Sequence, residues 1–132
     1  MEKEFVNYEI ALELKNLGFN EPCIGFWWNN KDFTEPEFLL EYCEHVMDGN
    51  LKRPTFSHAF RWFREKYDLH GITFKNRKNR FYNEGIETHS YTIMGNYNNI
   101  LYNTLSNEYK LSFEEAELEC LKKLIEIVKE QK

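Results

Sequence analysis

The stretch PTFSHAFRWFREKYDLHGITFK, residues 54–75, decides the fold class, because two different periodicities meet inside it. Phe56, Ala59, Phe60, Phe63 and Tyr67 recur at intervals of three and four, which lays them along one face of a helix opened by Pro54-Thr55. Ile72 to Lys75 then follows the two-residue alternation of a strand, and Gly71 between the two is expected to end the helix. A chain that changes period this abruptly mixes helix and sheet.

C-terminal to this stretch the strand signals continue. Residues 80–87 and 90–96 read as further strands, with turns at Asn76-Arg77-Lys78-Asn79 and Glu87-Thr88-His89. Asn96-Tyr97-Asn98-Asn99 is another turn, and Ile100 to Tyr102 reads either as a short fourth strand or as irregular chain. Ser112-Phe113-Glu114-Glu115 then has the form of a capping box, in which the Ser hydroxyl and the Glu carboxylate each satisfy a backbone N–H of the first helical turn. Acidic residues crowd the start of this last helix and Lys122, Lys123 and Lys129 its end, as the helix dipole favours. Phe113, Ala116, Cys120, Leu121, Leu124, Ile127 and Val128 form its apolar stripe.

Toward the N-terminus, Val6, Ile10, Leu14 and Leu17 predict a helix over Phe5 to Leu17, with Gly18 in the left-handed turn that ends it. Cys23 to Trp28 is a short, continuously apolar strand, and Gly25 inside it marks a bulge or a close approach. Thr34-Glu35-Pro36-Glu37 looks like a helix start, which predicts a helix from about residue 35 to Met47, although Phe38 to Cys43 also suits a strand. The expected architecture is therefore α+β in one domain, residues 1–132. Residues 23–28, 72–75, 80–87 and 90–96 would form a mostly antiparallel sheet of three to five strands, with the first, third and last helices packed mainly on one face.

Composition bounds the function. The chain has 132 residues, is 42% hydrophobic and carries a net charge of −5. That is enough apolar material for a core and too acidic a balance for a protein that is a nucleic-acid platform throughout. No apolar run is long enough to span a membrane, and Cys23, Cys43 and Cys120 are too few and too scattered for a disulfide framework, so a cytoplasmic protein is expected. Aromatics reach 17%, whereas Ala occurs only at positions 11, 59 and 116. Codons rich in A and T account for part of that bias.

Three stretches of the chain resemble small proteins encoded by bacteriophages and prophages of gut bacteria. These are Tyr8 to Leu12 with Gly18 to Cys23, then Ala59 to Lys66, then Phe113 to Ala116 with Cys120 to Ile125. That group carries no assigned activity and no catalytic motif, so the resemblance implies a phage or prophage context in a bacterial host and no mechanism.

The charge is polarised along the chain. Residues 51–80 hold nine basic side chains against Glu65 and Asp68, a net +7, and the remaining residues hold eight basic against twenty acidic, a net −12. Lys75, Arg77, Lys78 and Arg80, beside Phe74, Phe81 and Tyr82, suit a face for anions or nucleic acid. The plainer reading is a solvated turn, with Arg61 and Arg64 paired to acids elsewhere.

Catalytic and metal chemistry find little support in the sequence. Cys43 and His45 lack the spacing of a zinc site, and His58, His70 and His89 follow irregularly. Cys23 and Cys120 lie in apolar contexts that make a thiol inert, and no phosphate-cradling or nucleophile-elbow motif is present. The expectation is a protein that is not an enzyme and needs no cofactor. Trp27 and Trp28 must face opposite sides of a strand, and Trp62 lies about 100° from the apolar stripe of its helix. All three are candidate interface residues, against the alternative that every ring is internal. The expected role is a non-catalytic accessory or adaptor protein that binds a protein partner, a second copy included. Nucleic acid, through the basic hairpin, is the second reading.

Overall fold

In the computed structural model the described residues are 4–27, 36–43, 51–76, 88–95, 100–103 and 111–131. They form α1 (Tyr8–Asn16), β1 (Cys23–Trp27), β2 (Pro36–Cys43), β3 (Leu51–Arg53), α2 (Phe56–Tyr67), β4 (His70–Lys75), β5 (His89–Met94), β6 (Ile100–Asn103) and α3 (Phe113–Glu130). The α+β class and the antiparallel pairing are as expected. The grouping of strands differs: there are two three-stranded sheets, ordered β2-β1-β3 and β4-β5-β6. The chain divides into two compact units, residues 1–59 and 60–131, and the boundary falls inside α2.

In the first unit α1 starts one residue after Asn7, whose side-chain oxygen accepts from the Ile10 N–H at 2.9 Å. It ends at Gly18, which takes a φ of 100° as its lack of a Cβ allows. Ile10, Ala11 and Leu14 are its buried face, and α1 packs on β3. Two backbone ties fix the segment before it: Val6 N–H donates to the Pro54 carbonyl at 3.0 Å, and Phe5 bridges Thr55.

Of the two readings of this segment, helix from residue 35 or strand over Phe38 to Cys43, the strand holds, as β2. Its Pro36 is the first residue of an edge strand and pairs with Trp27, a place where a missing N–H breaks no ladder. The local helix-start signal is overridden by pairing with β1, an interaction that no short window contains. Gly25 does mark a bulge, since the β1–β2 register shifts between Cys23 and Gly25.

The second unit corrects the role of Gly71. Helix α2 stops three residues earlier, at Asp68, which adopts a φ of 52° while its N–H bonds the Arg64 carbonyl at 3.1 Å. Gly71 lies within β4 and faces the interior. Helix α3 begins at the expected capping box, Ser112 Oγ accepting from Glu115 N–H and Glu115 Oε1 from Ser112 N–H, each at 3.2 Å. It packs on β4 and β5 through Ala116, Cys120, Leu121, Leu124, Ile125 and Val128. Each large aliphatic member contributes about 1.5–3 kcal/mol of gross burial. Ile125 takes the inner position expected of Ile127, and Phe113 at the helix start is exposed.

Candidate interaction face

The site follows from strand register. A Cβ on Gly71 would point at Cys120 Sγ, Leu124 Cδ1 and the ring of Phe60, so one face of β4-β5-β6 lies against α3 and the C-terminal turns of α2. Cross-strand partners share a face, and Gly71 pairs with Ile93, which pairs with Tyr102. Ile93 is accordingly fully buried. Tyr91 belongs to the same side: its ring stacks on Tyr102 at 5.6 Å, and Lys123 of α3 lies 4.6 Å over the Tyr102 ring. Burial, and then the neighbouring Tyr102, push the Tyr91 hydroxyl well above its ordinary pKa.

Alternation then assigns the opposite face to His70, Ile72 and Phe74 of β4 and to Ser90, Thr92 and Met94 of β5. Ile72 pairs with Thr92, His70 with Met94, and Met94 with Ile100 across a register shift in β6. Ile72 is 46% exposed and Ile100 60% exposed, with Phe74 and Met94 half-buried between and beside them. Two β-branched aliphatic side chains therefore stand in water on either side of a central strand.

One end of this face is pinned. Asn76 N–H donates to the Thr88 carbonyl at 2.9 Å, Asn76 Nδ2 donates to Thr88 Oγ1 at 3.0 Å, and Ser90 Oγ donates to Asn76 Oδ1 at 2.8 Å. The clasp locks β4 against β5 in a register where a one-residue slip would exchange the two faces. At the other end His70 Nε2 lies 3.0 Å from Asp68 Oδ1 at the surface.

The residues singled out from sequence fare unequally. Lys75 is exposed at the last position of β4, whereas Arg77, Lys78 and Arg80 lie outside the described residues, as do Trp28 and the strand expected at 80–87. Trp27 sits in β1, the central strand of the first sheet. Trp62 is 5% exposed and meets Phe63 and Tyr67 edge-on at 5.1 and 5.5 Å, so its ring is internal and is not presented to a partner. Arg53, counted in the basic block, is buried: its Nε donates to the Val6 carbonyl at 2.8 Å and its guanidinium lies over Phe5. Lys52 bonds the Asn20 carbonyl and side chain. Arg61 and Arg64 are exposed and form no ion pair among the described residues, contrary to the pairing considered for them.

Cys23 and Cys120 are buried, and desolvation pushes each thiol up to about 12. Burial, with Glu114 nearby, also raises the Glu117 carboxyl. Among the described residues no group of three His, Cys, Asp or Glu side chains could hold a metal ion, and no helix is long and apolar enough to cross a membrane. The sequence reading missed Ile72, Met94 and Ile100 as surface candidates, and it singled out Phe74 only as a companion of the basic residues. The available signal was Gly71: a residue with no side chain on the covered side of a strand implies that its neighbour Ile72 faces the other way. Comparison with protein families, with curated proteins and with solved structures finds no match.

Proposed function

We propose that the chain is a non-catalytic accessory or adaptor protein of phage or prophage type that acts by binding another protein, and that the outer face of β4-β5-β6 is its contact surface. The observation that carries this reading is the exposure of Ile72 and Ile100 on the face opposite α3. Single exposed aliphatics are ordinary, but these two flank Thr92 and Met94 on adjoining strands and form one continuous strip. The strip is supported from behind by a filled core and held in register by the Asn76 clasp, so it is pre-organised for contact.

The test is recovery of the tagged chain from bacteria carrying its phage-type context, with wild type compared with Ile72→Glu and Ile100→Glu. A stoichiometric partner held by the wild type and lost from both variants is the expected result. Retention of that partner by both variants would sink the reading.

Nucleic-acid binding through Lys75, Arg77, Lys78 and Arg80 is the second reading, favoured by Arg61 and Arg64 on α2, which are exposed and form no ion pair among the described residues. Such binding must weaken steeply with salt and fall when Arg77 and Lys78 become Glu. Absence of any shift of single- or double-stranded DNA or RNA at low salt ends it.

A further inference from the structure

We infer that Cys23 and Cys43 are a site of reversible oxidative modification, forming a disulfide that ties the end of β2 to β1 when a small-molecule disulfide oxidises the chain. The site belongs to the first unit and is independent of the reading of β4-β5-β6 above.

The ground is register. Far apart in the sequence, the two cysteines are direct partners in the antiparallel β1–β2 ladder. Residues directly opposed in such a ladder have Cα atoms about 4.5 or 5.5 Å apart, according to whether they exchange hydrogen bonds. A disulfide spans Cα separations of about 4.4–6.8 Å, so either geometry falls within its reach. Cross-strand partners also share a face, which places both cysteines on one side of the sheet.

Their place in the ladder favours the bond. Cys23 is the first residue of β1 and Cys43 the last of β2, so the pair closes one end of the strand pairing. Between this pair and the next, Gly25 with Phe38, β1 advances two residues and β2 five. The bulge sets the last residue of β2 apart from the continuous pairs that hold Phe38, Glu37 and Pro36 to Gly25, Phe26 and Trp27. A covalent tie supplies there the hold that the interrupted ladder lacks. β2 is moreover an outer strand in the order β2-β1-β3.

Burial sets the order of steps. Cys23 is 1% exposed, and its Sγ donates to the Glu21 carbonyl at 3.5 Å. An incoming disulfide does not reach it, so Cys43 takes the first step. The Cys43 thiolate attacks one sulfur of oxidised glutathione, and its proton passes to the glutathione thiolate that leaves. Cys23 then gives up its proton and attacks the Cys43 sulfur of the mixed disulfide. The second glutathione thiolate leaves and takes that proton. Two protein thiols are thereby oxidised to one disulfide, and one glutathione disulfide is reduced to two thiols. Burial holds the Cys23 thiol up to about 12, with Lys52 opposing it, so adjacency to the Cys43 sulfur has to drive the second step.

Other uses of these thiols fit less well. Cys120 lies in the other unit, on the inner side of α3 against Gly71. Zinc takes four ligands, and among the described residues no group of three His, Cys, Asp or Glu side chains could hold a metal ion.

The test incubates the full chain with oxidised glutathione at mildly alkaline pH and blocks the remaining thiols with iodoacetamide. Trypsin digestion without reduction then shows by mass spectrometry which peptides are joined. Lys31 lies between the two cysteines, so cleavage there puts them on separate peptides. The expected product joins Cys23 to Cys43, leaves Cys120 free and reverts with dithiothreitol. It should also melt at least about 5 °C above the reduced chain. Cys23→Ala should stop at one glutathione on Cys43, and Cys43→Ser should take up none, with circular dichroism confirming that each variant is folded. A wild-type chain that stays reduced, bonds through Cys120, or joins Cys23 to Cys43 only in urea would overturn the inference, whatever the variants do. Uptake of glutathione by folded Cys43→Ser, or a cross-link that leaves the melting temperature unchanged, would overturn it as well.

Discussion

A Cβ added to Gly71 would sit 2.8 Å from Cys120 Sγ, closer than such atoms approach in folded proteins. The same Cβ would lie 2.9 Å from the Phe60 ring and 3.1 Å from Leu124, so three buried groups on two helices would have to yield. Gly71→Ala is therefore expected to destabilise the fold by about 1–3 kcal/mol, despite the smaller entropy of the unfolded Ala chain. At Gly95 the nearest atoms among the described residues all belong to Leu101, whose side chain is half exposed and free to swing away, so Gly95→Ala should cost far less. Urea denaturation of the two variants checks the contrast. Adding Cys120→Ala to Gly71→Ala should recover part of the loss, because it removes the nearest obstacle.

The two faces of the second sheet should answer differently to substitution. Ile72→Ser on the outer face is expected to change stability by no more than about 0.5 kcal/mol. Ile93→Ala, on the covered face opposite Gly71 and fully buried, should cost about 2–4 kcal/mol. If Ile72→Ser proved as costly as Ile93→Ala in denaturant, the outer face would not be open.

Alkaline pH should weaken the fold through the thiols. Burial raises Cys23 and Cys120 from the ordinary 9.0 to about 12, so between those values the folded chain holds protons that the unfolded chain has released. Stability is then greatest below pH 9.0 and falls as pH rises through that window, by up to about 1.4 kcal/mol per pH unit for each thiol. Replacing Cys23 by Ala should remove about one proton's share of the slope. In a Cys43→Ser background neither remaining thiol should react with a disulfide reagent at pH 8 until denaturant is added, and prompt native reaction would contradict the burial.

Removing the α3 cap offers a local test. Ser112→Ala should cost about 1 kcal/mol, and Glu115→Ala a similar or smaller amount. The double variant should cost less than the two together, because each side chain completes the same reciprocal pair. Strict additivity in a double-mutant cycle would mean that the box does not act as a unit.

These contrasts also explain what was readable in the sequence. Helix ends were legible at Gly18 and Ser112 because capping is local chemistry, completed within four residues. The apolar stripes of α2 and α3 were legible because their period is their own. Residues 36–43 stayed between helix and strand because Thr34-Glu35-Pro36-Glu37 carries a local helix signal, while the strand that forms depends on β1, some ten residues earlier. Gly71 misled for a related reason: glycine after a helix suggests a terminator, and only packing against Cys120 reveals that its missing side chain makes room in a core. The outer face was hidden for a further reason. Which of Ile72 and Thr73 looks outward is decided by register, and register is set here by Asn76, Thr88 and Ser90 acting across a connection.

The division of the chain inside α2 bears on any attempt to dissect it. Domain boundaries usually fall in exposed linkers, where a cut severs little, but here the line between Ala59 and Phe60 passes through a continuous hydrogen-bonded rod. A fragment beginning at Phe60 would lose Thr55, whose hydroxyl accepts from His58 N–H at 3.1 Å, and would start with frayed backbone in place of a capped first turn. A fragment ending at Ala59 would keep that cap with barely one turn behind it, too short to hold a helix alone. Expression of either half should therefore extend through Tyr67 or begin before Pro54, with α2 duplicated rather than shared.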